Sequence, residues 1–124
     1  MKTKTLLIGV LLFFVAISRA YAGNGYSQSS DGVKIYYEQS GRGEPLILIA
    51  GGPGDSHAYF KPYFNKLEKN FTVIYFDSRG RGRSTRPANS APYTVDKDVE
   101  DLENLRRQLG YESINVLGHS YGGI

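Results

Sequence analysis

Hydrophobic residues along this chain gather in short segments that are typical of β-strands. Apolar and polar positions alternate over residues 33–38, which predicts a half-exposed strand with its odd-numbered side chains buried. A continuous apolar run at residues 46–50 and the mainly apolar segments 71–76 and 114–117 predict buried strands. Residues 23–30 are small and polar, and we expect them to be irregular.

Two segments between these strands have the spacing of amphipathic helices. Residues 59–68 carry apolar side chains on one face. Over residues 95–109 the apolar side chains recur every three or four positions, which is the helical period. We expect Thr94 or Asp96 to cap this second helix and Gly110 to end it.

The order strand, helix, strand, helix, strand predicts an α/β fold in which helices flank both faces of a mainly parallel sheet. In such sheets ligands bind beyond the carboxyl ends of the strands. Three loops follow such ends here, at residues 51–57, 77–92 and 118–123. The residues with candidate chemistry all lie in these three loops.

The first 22 residues have the features of a cleavable signal peptide. Two lysines precede an apolar run at residues 6–17, and Ala20-Tyr21-Ala22 fits signal-peptidase cleavage before Gly23. A membrane anchor is the alternative, but a spanning helix needs about 20 apolar residues and this run is shorter. We therefore expect residues 23–124 to be secreted or periplasmic, without a stable membrane anchor after cleavage.

Removal of this leader changes the charge of the protein. The whole chain has 15 basic and 12 acidic residues, and residues 1–22 hold three of the basic ones and no acidic one. The mature part is therefore 12 minus 12, or neutral, and its charge does not favour nucleic acid binding. The chain has no cysteine, which excludes disulfides, a thiolate nucleophile and cysteine metal sites.

Gly118-x-Ser120-x-Gly122 follows the last predicted strand and fits a nucleophile elbow. Such a turn exposes the serine hydroxyl above the sheet, and glycines two residues before and after it avoid clashes with nearby backbone. The N–H of Tyr121 would then face the position where a carbonyl oxygen becomes negative. An ordinary glycine-rich turn is the alternative.

A second glycine turn, Gly51-Gly52-Pro53-Gly54, follows the strand predicted at residues 46–50. Without side chains in the way, its backbone N–H groups could stabilise an oxyanion. A phosphate-binding loop is disfavoured because the Lys-Ser/Thr pair of a Walker A motif is missing.

The third loop is rich in arginine. We expect Asp77 to form hydrogen bonds and ion pairs within the loop, and some of the arginines to be solvated. Nucleic acid binding is disfavoured because no aromatic residues interleave with the arginines. The arginines are Arg79, Arg81, Arg83 and Arg86.

Neither histidine of the chain is a good candidate for a catalytic base. His119 precedes Ser120 directly, and neighbouring side chains diverge in a sharp elbow. His57 either contacts substrate or is an ordinary histidine at a helix start or on the surface. A serine in a nucleophile elbow works in a catalytic triad with an acid and a histidine, which both follow the serine along the chain. We therefore expect the acid and the histidine beyond Ile124.

Together the three loops resemble the α/β-hydrolase superfamily, and most of all its proline iminopeptidase-like branch. That branch shows His-Gly-Gly-Pro-Gly, where this chain has Ala50 followed by the glycine turn at 51–54. It also shows Asp-x-Arg-Gly-x-Gly-x-Ser, which residues 77–84 match through Asp77, Arg79, Gly80, Gly82 and Ser84. The resemblance covers about residues 31–124, and three motifs in order are more specific than one.

The resemblance implies that Ser120 is the nucleophile and that the N–H groups of Gly52 and Tyr121 form the oxyanion hole. It also implies a later helical lid that selects substrates. The chain departs from the branch at Ala50 and at the neighbours of the serine, His119 and Tyr121, where Ser and Trp are common. These departures weaken the assignment to proline peptides and leave the hydrolase assignment intact.

The sequence thus predicts an exported serine hydrolase of the α/β-hydrolase fold, truncated after the nucleophile elbow. Residues 1–22 are the predicted leader, and residues 23–124 the N-terminal part of the domain. The expected substrates are small esters or amides or short peptides, with no metal and no organic cofactor implied. A non-catalytic ligand-binding protein on the same fold is the alternative. If the chain is made alone, we expect it to be unstable and inactive.

Overall fold

The structure is a computed structural model that describes residues 21–52, 54–88 and 93–124. Five strands and two α-helices make up the regular structure of these ranges. The strands are β1 (Tyr21–Gln28), β2 (Lys34–Gly41), β3 (Glu44–Ile49), β4 (Phe71–Phe76) and β5 (Asn115–Gly118). The helices are α1 (Lys61–Phe64) and α2 (Val95–Gln108).

The strands form one mixed sheet in the order β1-β2-β4-β3-β5. β4, β3 and β5 are parallel, whereas β1 pairs antiparallel with β2 and β2 antiparallel with β4. The α/β architecture is as predicted, and its parallel part is the part that leads into the three loops. The antiparallel pairing of β1 with β2 arises because a tight turn at residues 29–33 joins these two strands as a hairpin.

Strand β1 corrects the expectation that residues 23–30 are irregular. Its small and polar side chains carry no strand pattern, but its backbone pairs with β2 from Tyr21 opposite Gly41 to Gln28 opposite Lys34. The strand is therefore stabilised by its partner rather than by its own composition.

The predicted leader lies outside the described residues, except for its last two. Tyr21 and Ala22 pair with Gly41 and Ser40 at the start of β1. Cleavage before Gly23 would remove these two residues and leave the rest of β1 paired.

The helix predicted over residues 59–68 is divided into three short helical pieces. A 3₁₀ turn at His57–Phe60 precedes α1, and a second one follows at Asn65–Lys69. Pro62 lies in the first turn of α1. Proline has no N–H to give to the preceding turn, so it favours a new helical start at this point.

Helix α2 begins and ends as predicted. The Thr94 hydroxyl accepts a hydrogen bond of 3.3 Å from the N–H of Lys97, and Gly110 follows the helix with a φ of 78°. Acidic residues occupy its first turn and Arg106 and Arg107 its last, which suits the helix dipole.

No helix within the described ranges has the length and hydropathy needed to cross a membrane.

The two faces of the sheet carry separate hydrophobic clusters. One lies under α2 and the other under the helical pieces at residues 57–69. The first contains Val33, Ile35, Ile47, Ile74, Phe76 and Leu105, and the second Leu46, Leu48, Ala50, Phe60, Val73 and Tyr75. The apolar runs of β3 and β4 are thus buried on both faces, as predicted.

Strand β2 is less exposed than its alternating pattern predicts. Tyr36, expected on the solvent side, is only 1% exposed. Its ring lies 5.3 Å from that of Tyr26 and 3.9 Å from the guanidinium carbon of Arg83. The loop after β4 also pairs with this strand, because the Tyr36 N–H donates to the Ser84 hydroxyl at 2.8 Å. A neighbouring loop therefore covers the face that local alternation assigns to solvent.

Candidate active site

The carboxyl ends of three parallel strands meet at one edge of the sheet. Ile49 at the end of β3 pairs with Gly118 at the end of β5, and Leu48 pairs with Tyr75 near the end of β4. The loops that follow these strands begin at this edge. The convergence of the three loops is therefore present, as the order of elements predicts.

Ser120 lies in a sharp turn directly after β5. Its φ is 55°, and it is the one non-glycine residue in the described ranges with a positive φ. The residue is exposed, and a 3₁₀ turn at Ser120–Gly123 continues from it. The left-handed conformation costs a non-glycine residue about 1–2 kcal/mol, so it persists where the surroundings impose it.

The two glycines that flank Ser120 allow close backbone contacts. A Cβ at Gly118 would lie 2.0 Å from the carbonyl oxygen of Gly122, and one at Gly122 would lie 2.3 Å from that of Ile49. A side chain cannot be placed at either position without moving backbone. Gly123, the next residue, has open space around its Cβ position.

The glycine turn after β3 packs directly against the elbow. A Cβ on Gly51 would lie 2.9 Å from the Cβ of Ser120, and the His119 N–H donates to the Ile49 carbonyl at 3.1 Å. Gly52 and Gly54 have φ values of 58° and 129°, which favour glycine. Pro53, between them, lies outside the described residues.

Tyr59 connects these two loops. Its hydroxyl accepts a hydrogen bond of 2.9 Å from the Gly51 N–H and lies 2.9 Å from Nδ1 of His119. The sequence placed Tyr59 on an apolar helix face and missed this contact. Only the presence of a hydroxyl on that face could have indicated it, because His119 is 60 positions away.

The side chain of Tyr121 is held by a pair of charged residues. Its hydroxyl donates to Oδ2 of Asp98 at 3.2 Å, and the Arg81 guanidinium carbon lies 5.0 Å from its ring centre. Burial raises the pKa of Asp98, against the smaller effects of the Tyr121 hydrogen bond and the Arg81 charge. The residue that follows the serine is therefore anchored to α2 and to the arginine-rich loop.

Asp77 holds the first and second loops together. One carboxylate oxygen accepts the His57 N–H and contacts Nδ1 of the same residue, both at 2.8 Å. The other accepts the N–H of Arg83 at 2.8 Å. Burial favours a raised pKa for Asp77, but the hydrogen bonds from His57 and Arg83 outweigh it, so its pKa is lowered.

His57 begins the 3₁₀ turn at 57–60, as one of the expectations had it, but it is buried rather than on the surface. It is 5% exposed, with Asp77 on one ring nitrogen and Glu38 at 3.3 Å from the other. Neither His57 nor His119 forms a hydrogen bond with Ser120 in the part of the chain that the structure describes.

Arg79 is buried as well, so it is not among the arginines of this loop that are solvated. It is 1% exposed and donates two hydrogen bonds of 2.8 Å to Asp101 and a third of 2.8 Å to Asp31. The hydrogen bonds to Asp101 have the largest effect on the pKa of Arg79. Together with the bond to Asp31 they raise this pKa above the ordinary value for arginine. Arg83 and Arg86 are exposed, and Arg81 is partly buried against Tyr121.

A family model for the alpha/beta hydrolase fold matches residues 44–124, which is more than half of the chain. The match spans β3, β4, β5 and all three loops. This chain belongs to the α/β-hydrolase family. The hydrolase fold expected from the three motifs is therefore confirmed.

Proline iminopeptidases are among the most similar relatives of this α/β-hydrolase. That of Saccharolobus solfataricus is 41% identical over 96 residues, which are 74% of this chain and 31% of the relative. That of Lactobacillus delbrueckii subsp. lactis is 45% identical over 83 residues, covering 64% of this chain and 28% of the relative. The chain thus spans about a third of the length of these relatives.

A solved structure from the proline iminopeptidase-like branch is also similar to this chain. The crystal structure of a proline iminopeptidase-related protein from Thermus thermophilus matches with a TM-score of 0.75 and 33% identity. The match covers 82% of this chain and 37% of that one. The α/β-hydrolase is therefore proline iminopeptidase-like in both sequence and fold.

Proposed function

We propose that this chain is the N-terminal part of an exported serine hydrolase that attacks ester or amide carbonyls with Ser120. The single observation that carries the proposal is the turn at Ser120. An exposed serine at a φ of 55°, with a second glycine turn packed against it, fits the geometry that a nucleophile elbow requires.

The proposed oxyanion hole is formed by the N–H groups of Gly52 and Tyr121. The Gly51 N–H already donates to Tyr59, so in this turn the Gly52 N–H is the better candidate. Two backbone donors beside the nucleophile would stabilise the negative oxygen of a tetrahedral intermediate. Loss of one such donor costs about 3–4 kcal/mol of transition-state stabilisation in enzymes where it has been measured.

The proposed reaction is a two-step acyl transfer. Ser120 Oγ attacks the carbonyl carbon while a general base takes its proton. The leaving group departs with a proton from the same base, and water then hydrolyses the acyl-enzyme. The base and its orienting acid belong to the part of the hydrolase that follows these residues, because both histidines described are held by other partners.

The proposed substrates are peptides that begin with proline, or related small amides and esters. Support comes from the relatives, which are proline iminopeptidases at 41% and 45% identity. Export to the periplasm or beyond would follow from the predicted leader. The proposal includes no metal or organic cofactor and no nucleic acid partner.

We further propose that residues 23–124 alone are inactive. Besides the missing base and acid, β5 pairs only with β3 in the described ranges and Val116 on it is 53% exposed. Val95 and Val99 on α2 are also exposed. Apolar side chains of this kind are ordinarily covered in a complete domain.

Substitution of the nucleophile tests the proposal. In the full-length hydrolase, Ser120→Ala should lower kcat on p-nitrophenyl acetate and prolyl p-nitroanilide by about 10⁴-fold or more. It should also abolish labelling by a fluorophosphonate probe. Ser113→Ala, at an exposed position, is the matched control and should retain both. Undiminished turnover in Ser120→Ala would refute the role of this serine.

A non-catalytic binding protein on the same fold is the alternative from a different class. It predicts no fluorophosphonate labelling of the unmodified protein and no turnover of either substrate. In such a protein, the part that follows the elbow would also lack the catalytic acid and the catalytic histidine. Preference for the prolyl amide over an alanyl amide would separate the peptidase from a general esterase.

A further inference from the structure

The hydroxyl of Tyr59 is the point at which the glycine turn and the elbow are joined. It accepts the Gly51 N–H at 2.9 Å and contacts Nδ1 of His119 at 2.9 Å. Its ring stacks on Phe60 at 4.4 Å and meets the His119 ring edge-on at 5.7 Å. Phe60 is 1% exposed, so the bridging side chain rests on the hydrophobic core.

The chemistry of a phenol determines how this bridge is made. A tyrosine hydroxyl has one hydrogen to donate and can also accept. The hydroxyl accepts the Gly51 N–H, and its own hydrogen is left available for Nδ1 of His119, which makes both contacts hydrogen bonds. The His119 ring then carries its hydrogen on Nε2. One side chain therefore contacts both Gly51 and His119, and in this arrangement it favours the Nε2–H tautomer of the ring.

This restraint acts where the two loops are closest. A Cβ on Gly51 would lie 2.9 Å from the Cβ of Ser120 and 3.0 Å from Nδ1 of His119. Gly51 and His119 are direct neighbours of Gly52 and Ser120, the proposed oxyanion donor and nucleophile. A shift of about 1 Å in such an arrangement can cost about 100-fold in rate.

We propose that Tyr59 is a positioning residue, whose hydroxyl holds the glycine turn in register with the nucleophile elbow for catalysis. The inference rests on the proposed function, since it assigns a rate effect to a site whose chemistry is itself a proposal. Tyr59 acts through Gly51 and His119 and takes no part in bond making or breaking.

Removal of the hydroxyl alone tests the inference. In the full-length hydrolase, Tyr59→Phe should lower kcat on p-nitrophenyl acetate between about 10-fold and 100-fold and leave KM within about twofold. Misaligned oxyanion donors weaken binding of the transition state more than that of the substrate, which gives this split. Fluorophosphonate labelling of Ser120 should slow by a similar factor.

Tyr63→Phe is the matched control, because Tyr63 belongs to α1 and is 74% exposed. It should leave kcat, KM and the labelling rate unchanged. An unchanged kcat in Tyr59→Phe would overturn the inference. That result, together with loss of turnover in Ser120→Ala, would leave the proposed function intact, so the two proposals can fail separately.

A spectroscopic measurement does not depend on the variant folding. In ¹⁵N NMR of the unmodified full-length hydrolase, the neutral His119 ring should show an unprotonated, hydrogen-bonded Nδ1 and a protonated Nε2. The Gly51 amide should be protected from hydrogen exchange. A proton on Nδ1 or an unprotected Gly51 amide would contradict the bridge.

Discussion

At the scale of single residues, the elbow depends on where side chains are absent. Ser120 adopts a φ of 55°, and Gly118 and Gly122 permit the turn because a Cβ at either would lie within 2.3 Å of a carbonyl oxygen. The sequence predicted the requirement for these two glycines from the motif alone. Gly123 lies outside the motif, and a Cβ there meets nothing.

Alanine substitutions at these glycines should separate the required positions from the permissive one. Gly118→Ala should lower the free energy of unfolding by about 2–3 kcal/mol, since the new methyl group forces the backbone of the turn to move. Gly123→Ala should change it by less than about 0.5 kcal/mol. Urea denaturation of the full-length hydrolase would measure both, and equal effects at the two positions would contradict the role assigned to Gly118.

At the scale of elements, Arg79 connects three parts of the fold through ion pairs. It extends from the loop after β4 and pairs with Asp101 on α2 and with Asp31 in the turn between β1 and β2. Ser29, at the same turn, also donates to Asp101. Arg79 and Asp101 are each 1% exposed, so their charges are compensated by these protein partners rather than by solvent.

Removal of this arginine should be far more costly than removal of an exposed one. Arg79→Gln leaves the buried Asp101 carboxylate without its partner, and we expect a loss of about 3–5 kcal/mol in the free energy of unfolding. Arg107→Gln breaks an exposed pair with Glu103 on the same helix and should cost less than about 1 kcal/mol. Thermal and urea unfolding would compare them, and a loss below about 1 kcal/mol at Arg79 would argue against the buried pair.

At the scale of the whole molecule, one buried and one half-buried carboxylate connect the loops to the sheet. Asp77 and Glu38 lie on either side of His57, and Glu38 also contacts Lys61 and Tyr36. Burial favours a raised pKa for Glu38, yet hydrogen bonds from Lys61 and Tyr36 leave its pKa lowered, as those of Asp77 do. Asp98 differs, since burial raises its pKa.

The direction of these shifts determines how stability depends on pH. A carboxylate whose pKa is lowered by folding stabilises the protein above its unfolded pKa, about 4, and loses that contribution as the pH falls through the folded value. We therefore expect the free energy of unfolding to decrease below about pH 5, by up to ~1.4 kcal/mol per pH unit for each such group. Asp98 acts in the opposite sense, since its contribution is lost as the pH rises.

Asp77→Asn should make the free energy of unfolding depend less steeply on pH in the acidic range, because one titrating group is removed. Glu112→Gln, at an exposed position, is the control and should keep the original slope. Urea midpoints measured at about pH 7, 5, 4 and 3 on the full-length hydrolase would give the slopes. Identical slopes in Asp77→Asn and the unmodified protein would show that Asp77 does not carry the effect.

Local patterns in the sequence determined much of the framework of this hydrolase. The apolar run at residues 71–76 coincides with β4, and the helical period and Thr94 predicted α2 and its cap. The three motif loops meet at one edge of the sheet, as expected from strands that alternate with helices. These features were predictable because each depends on residues that are near one another in the chain.

Tertiary structure alone decided the features that join distant segments. β1 is a strand because β2 is there to pair with it, and Tyr36 is buried because the loop after β4 covers it. Arg79 finds its partner 22 positions away, and the Tyr59 hydroxyl finds His119 at a separation of 60. Such contacts leave no periodic signal in the sequence, since nothing local distinguishes a polar group that is solvated from one that has a distant partner. The chain pattern therefore predicts where the loops begin, and only packing decides which side chains hold them together.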